Sequence, residues 1–328
     1  MEFFTEVAIK PSENKINYNM PLLFLGSCFA QNISTFFVNA KFNCNINPSG
    51  IVYNPLVISN LVKKIVENKV YCNNDFFFDG VNYCCYDFHG SFSHQNLEIA
   101  VKNANQSIKN AADFIKNASF CFVTLGTAYV YFLKQNSQPV SNCHKQNSDI
   151  FFRRRLEIEE VYNSISSMIE TFIKVNPKIR FVLTVSPIRH WKDGAHGNRV
   201  SKAILLSSVE KIIENYTCAE YFPSYEIVED QLRDYRFYAE DMIHLSPTAE
   251  KIIWEKLSQT YFSQKTQLEI KKVEKFMLSV KHRIIDYKSL KTKEFAKKNI
   301  EIANNLEKEI IGLDLSEEKK YFLQLLEN

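Results

Sequence analysis

Three short continuous apolar runs punctuate the first two thirds of the chain: 21–26 (PLLFLG), 120–125 (FCFVTL) and 180–185 (RFVLTV). Runs of this length, rich in β-branched and aromatic residues, fit strands buried on both faces, as in a parallel sheet covered by helices. Between them the period changes. Phe29, Ile33, Phe36 and Phe37 recur at helical spacing after the first run, and further helical stretches are expected at 97–117, 157–176 and 199–215. Strand–helix alternation of this kind predicts an α/β three-layer sandwich with a mainly parallel sheet. Beyond Trp254 the pattern is helical throughout. Val273, Phe276, Met277, Val280 and Ile284 mark one apolar stripe, and residues 265–328 contain no Pro and a single Gly, Gly312. The expected division is a domain over 1–264 and a helical C-terminal extension over 265–328. The extension packs on the domain or on a protein partner.

Composition adjusts this picture little. The 328 residues are 45% hydrophobic and 23% charged, so a packed core is expected rather than disorder. A net charge of +3 is too small to point to nucleic acid or a membrane as partner. The N-terminus lacks the basic-then-apolar pattern of a secretion signal, so a cytoplasmic location is expected. In that setting the eight cysteines read as free thiols.

In open α/β sheets, ligands bind beyond the carboxyl ends of the strands, so the residues after each run hold the candidate chemistry. The first run ends in Gly26-Ser27-Cys28-Phe29-Ala30, which sets a hydroxyl and a thiol at a helix N-terminus. There the N–H groups can hold an oxyanion and favour a partly ionised thiol. The competing reading makes Ser27 a helix cap and Cys28 a small buried side chain. Asp241 and His244 lie three residues apart before a helix, a spacing that lets a carboxylate fix the imidazole tautomer. Arg189 and His190 follow the third run. Arg189 offers a fork for a carboxylate or phosphate of a substrate, or equally for a carboxylate of 226–241. Cys84, Cys85, His89, His94, Cys143 and His144 lack zinc-like spacing, so no metal and no cofactor is expected.

The motif at 26–30 resembles the signature of the GSCFA family, related to the SGNH/GDSL hydrolases. Other stretches are similar to that family in order: NPSGIVYNP (47–55), YDFHGSFS (86–93), TLGTAYVY (124–131), NCHK (142–145), SPIRHWKDG (186–194), SKAIL (201–205) and 221–244. The resemblance implies an SGNH-hydrolase-like sandwich and an acyl-ester hydrolase or acyltransferase acting on a small-molecule or carbohydrate ester. It puts Cys28, or Ser27 in a shifted register, in the nucleophile slot, with His244 as base and Asp241 as its orienter. It makes Gly50 an oxyanion-hole donor. The superfamily's third block carries an Asn that is Ala128 here, so Thr127, Asn142 or His144 is expected to compensate. Gly126, His89, Asn142, His144, Arg189 and His190 are expected around the substrate. Without that Asn, the alternative is a catalytically inactive ligand-binding module.

Overall fold

The computed structural model describes residues 5–327. Its elements run β1 (Leu22–Gly26), α1 (Cys28–Asn39), β2 (Cys44–Ile46), α2 (Pro55–Val66), β3 (Phe77–Phe78), β4 (Tyr83–Cys84), α3 (Leu97–Ile115) and β5 (Phe120–Leu125). They continue with β6 (Tyr129–Leu133), β7 (Pro139–Val140), β8 (Phe151–Arg155), α4 (Ile158–Val175), β9 (Arg180–Val185), α5 (Gly194–Asn215) and β10 (Ala219–Tyr221). Last come α6 (Ser224–Glu226), α7 (Pro247–Tyr261), α8 (Gln264–Val280), α9 (Leu290–Glu309) and α10 (Ser316–Glu327).

The chain divides into two compact units. One contains Leu22–Ser34 and Asn45–Ile253; the other contains Lys10–Pro21, Thr35–Cys44 and the chain from Trp254 onward. The five-stranded sheet has the order β10-β9-β5-β1-β2, and β10, β9, β5 and β1 pair in parallel. Helices flank it, giving the expected α/β sandwich with a mainly parallel sheet. The three apolar runs are β1, β5 and β9, buried along nearly their whole length.

Alternation along those strands explains why both sheet faces are buried. Leu23, Leu25, Cys121, Val123, Phe181 and Leu183 face a core built with α2, α3, α4 and α5. Leu22, Phe24, Phe120, Phe122 and Val182 point the other way and are equally buried, with Phe24 stacked on Phe122 at 4.8 Å. Each such side chain contributes about 2 kcal/mol by leaving water. The register Gly26↔Thr124 and Leu125↔Val185 brings the carboxyl ends of β1, β5 and β9 to one edge.

Helix starts follow local chemistry. Asn54 caps α2, accepting from Val57 N at 2.9 Å, and Pro55 takes the first turn, where no N–H is needed. Asn96 caps α3, and the Glu157/Glu160 pair forms a capping box on α4. A three-stranded antiparallel sheet, β7-β6-β8, lies outside the predicted elements. Of its strands only β6 is apolar, reading YVYFL; β7 has two residues and β8 reads FFRRR.

The second unit has its own aromatic core. Tyr18 stacks on Phe42 at 4.3 Å, Phe37 meets Trp254 edge-on at 4.9 Å, and Phe276 and Phe295 close on Phe322. Ser263 and Ser289 cap α8 and α9. Among the described residues, no helix is long and apolar enough to cross a membrane.

Candidate active site

The edge where β1, β5 and β9 end opens into a cavity of about 520 Å³, with Cys28, Tyr53, Asn54, Ser186, His190 and His244 on its wall. The turn after β1 cannot be built without glycine. Gly26 sits at φ +136°, and a Cβ there would lie 2.2 Å from the Thr124 carbonyl oxygen. Its N–H donates to Asn47 Oδ1 at 2.9 Å, and its carbonyl accepts from Val52 N at 2.9 Å. The 47–55 loop is thereby stitched to the turn.

The two residues that follow differ sharply. Ser27 is 1% exposed, and its Oγ has no hydrogen-bond partner among the described residues. Cys28, the first residue of α1, faces the cavity with Sγ 3.8 Å from His244 Nε2. His244 Nδ1 lies 2.6 Å from Asp241 Oδ2, while Asp241 Oδ1 accepts the backbone N–H groups of Ile243 and His244, both at 2.9 Å. The His244 side-chain hydrogen bond and those backbone donors hold the Asp241 carboxyl down at about 2, so it stays ionised. An ionised acceptor leaves the proton on Nδ1 and aims the Nε2 lone pair at Cys28.

Electrostatics at the thiol oppose one another. Burial raises the Cys28 pKa; the N–H groups of Phe29 and Cys28 and the Lys202 ammonium pull it down, and Glu250 adds to the rise. The balance is upward. The partly ionised thiol expected from the helix N-terminus is therefore corrected: burial outweighs the helix end, and Cys28 rests protonated. Lys202 is 1% exposed on α5, and its Nζ donates to the carbonyls of Gly126 and Ser186, each at 2.6 Å. These are the residues following β5 and β9. Burial pushes the Lys202 pKa down to about 7. His190 is pushed down to about 4, first by burial and then by Lys202, so it is neutral near pH 7.

Of the residues singled out in the sequence, Ser27, Cys28, Thr127, Asn142, Arg189, His190 and His244 line this cavity, and Asp241 reaches it through His244. The others do not. Gly50 at φ +80° gives its N–H to Asn47 O at 2.7 Å and packs against His89, where a Cβ would come within 2.3 Å. His89 bonds Ser91, and buried His144 reaches the Cys85 carbonyl at 2.9 Å. Gly126 and Thr127 both donate their N–H groups to Tyr53 O, at 2.7 and 3.0 Å. Thr127 Oγ1 is also bonded to Ser201 Oγ. Arg189 Nη2 donates to both Glu229 oxygens, at 2.7 and 2.9 Å. Asn142 Oδ1 accepts from His144 N.

Three residues that the sequence reading passed over stand out. Asn54 has its Oδ1 on Val57 N, while its Nδ2 has no partner among the described residues and its side chain lines the cavity. Lys202 ties two strand ends beneath the site. Arg153 lies over the Tyr129 ring at 4.2 Å and pairs with Asp193 at 2.5 Å. Asn54 and Lys202 sit inside the stretches 47–55 and 201–205, so their neighbourhoods carried a signal. Among the described residues, no three His, Cys, Asp or Glu side chains group as a metal site.

The GSCFA family profile matches residues 21–257, most of the chain. The chain belongs to the GSCFA family. No curated protein matches this GSCFA chain. Among solved structures it is similar to the acetyl xylan esterase Est2A from the rumen bacterium Butyrivibrio proteoclasticus, at 12% identity and TM-score 0.39, covering 75% of this chain and 64% of that one. It is also similar to a carbohydrate esterase family 3 protein from Talaromyces cellulolyticus, at 8% identity and TM-score 0.33, covering 77% and 98%. The GSCFA chain thus spans less than two thirds of the Est2A chain. At these TM-scores the likenesses are loose, and function rests on this chain's own residues.

Proposed function

We propose that this GSCFA protein is an acyl-ester hydrolase that works through a Cys28 acyl-enzyme. The observation carrying this reading is the unbroken line Asp241 Oδ2, His244 Nδ1, His244 Nε2, Cys28 Sγ, with spacings of 2.6 and 3.8 Å. Because the thiol rests protonated, His244 acts as a true general base. Cys28 Sγ attacks the ester carbonyl carbon as its proton passes to Nε2. Collapse of the tetrahedral intermediate breaks the C–O bond, and the alcohol leaves with that proton. Water then gives a proton to Nε2 and attacks the thioester; the carboxylic acid departs, and the proton returns to sulfur. Asp241 stabilises the imidazolium at each stage.

The oxyanion needs donors not already committed. The Cys28 N–H at the start of α1 and Asn54 Nδ2 meet that need, whereas the N–H groups of Gly50, Gly126 and Thr127 are given to carbonyls. Asn54 would replace the Asn that Ala128 displaces from the third block. In its protonated form Lys202, held on the Gly126 and Ser186 carbonyls, adds positive charge where the thiolate and the oxyanion form. A complete nucleophile–base–orienter set favours catalysis over a silent binding module. The small-molecule alcohol portion, a carbohydrate among the options, leaves during the first step.

The test is release of 4-nitrophenolate from 4-nitrophenyl acetate by the purified full chain. Release above the buffer rate, abolished in Cys28→Ala, is expected. No release from the folded wild-type protein with this ester or its thioester analogue would contradict the proposal.

A further inference from the structure

A second cavity of about 390 Å³ shares Arg189 with the first. Met242 lines it, while its sequence neighbours Ile243 and His244 line the first, so the dyad loop separates the two. We infer that this second cavity is a saccharide subsite, holding the sugar portion of an ester whose carbonyl is presented to Cys28. The inference rests on the hydrolase reading for that orientation, but not for the binding itself.

The wall of this cavity mixes two chemistries. Trp191 is 48% exposed and Tyr235 77% exposed, unusual for rings of their size, and both belong to the cavity. Such side chains offer an apolar face with a polar tip. The same wall carries paired charges. Arg189 Nη2 donates to both Glu229 oxygens, Arg199 reaches the same carboxylate at 3.7 Å, and Glu229 sits within the π-helical turn Ile227–Gln231. Met242 holds φ +58°, a left-handed conformation rare for a non-glycine side chain. π-turns and residues held in such conformations concentrate at functional sites.

The kind of ligand follows by elimination. Three arginines line the wall, but Arg189 and Arg199 pair with Glu229, Arg233 pairs with Asp230, and Asp234 adds a further carboxylate, so a compact anion meets no uncommitted cation there. A purely apolar ligand would cover charged groups without bonding them, which is costly. A sugar ring satisfies both surfaces: its C–H face lies on Trp191 or Tyr235, and its hydroxyls bond the arginine–carboxylate pairs.

The chain's two tryptophans make the test direct, because Trp191 is exposed in this cavity and Trp254 is 7% exposed in a core. Tryptophan emission of the full-length Cys28→Ala protein is titrated with cellobiose, xylobiose and N-acetylglucosamine, with inorganic phosphate as the charge control. A saturable change with at least one sugar is expected, lost in Trp191→Phe and about tenfold weaker in Tyr235→Ala. The inference is overturned if none of the sugars perturbs the emission at tens of millimolar, if the change survives Trp191→Phe, or if phosphate alone reproduces it. Turnover of 4-nitrophenyl acetate by a sugar-blind protein would sink the subsite and leave the hydrolase standing; sugar binding without any turnover would do the reverse.

Discussion

His244 Nε2 stands 3.8 Å from Cys28 Sγ, although 216 positions separate the two residues in sequence. The sheet makes that meeting, because β1 delivers Cys28 to the carboxyl edge while the loop before α7 brings His244 over it. The loop is held by its own Asp241, whose two oxygens bond one side chain and two backbone N–H groups. His244→Ala should therefore abolish ester turnover in a protein with an unchanged melting curve. Asp241→Asn should lower kcat by about 10³-fold or more, because an amide cannot stabilise the imidazolium. Steady-state kinetics on 4-nitrophenyl acetate reads both, and near-normal activity in His244→Ala would remove the proposed base.

Asn54 has two jobs that substitution can separate. Its Oδ1 caps α2, and its Nδ2 is the proposed oxyanion donor. Asn54→Ser keeps a good cap, so stability should change by only a few tenths of a kcal/mol. The loss of one oxyanion donor should cost about 10²-fold in kcat. Urea denaturation and kinetics on the same sample check the pair; full activity in a stable Asn54→Ser protein would assign the oxyanion elsewhere.

Two basic groups near the site resist protonation, and the consequence for stability has one sign. His190 is pushed down to about 4 in the folded protein, against 6.5 when unfolded. Between those values the unfolded chain binds more protons, so stability falls as pH drops from about 6.5 toward 4. His190→Asn should flatten that part of the stability curve, measured by thermal melts across the range. Lys202, at about 7 against 10.5, makes stability rise between pH 7 and 10.5 by the same reasoning. Lys202→Met should remove that alkaline rise, measured by urea denaturation across the range. An unchanged alkaline slope would assign the rise to another group.

What could be read from the sequence, and what could not, divides by the range of the interactions. β5 and β9 were legible to the residue, and β1 to within one, because doubly buried strands must be continuously apolar. Asp241 and His244 were legible because their geometry is local, three residues in one turn. The β7-β6-β8 sheet was not: β6 reads YVYFL, but its partners, a two-residue strand and an arginine-rich one, leave no periodic trace. Nor was the state of the Cys28 thiol, which depends on burial and on Lys202 from a distant helix. Gly50 and His89 were expected near the chemistry from their place in matching stretches, yet they pack against each other outside the cavity wall. Asn54, in the same stretch, is the one that faces inward. Spacing alone does not tell the two apart; the helix cap does, since Asn-Pro before an apolar helix fixes the direction of the side chain.

The choice between Cys28 and Ser27 decides the account: both border the cavity, but the thiol lies 3.8 Å from His244 Nε2, while the hydroxyl is 1% exposed and has no partner among the described residues. The direct measurement is peptide mapping of the covalent adduct, after mixing the protein with excess 4-nitrophenyl acetate and quenching in acid. An acetyl mass on the Cys28 sulfur, cleaved by hydroxylamine and absent from Cys28→Ala, is the predicted result. An acetyl group on Ser27, with turnover persisting in Cys28→Ala, would contradict it.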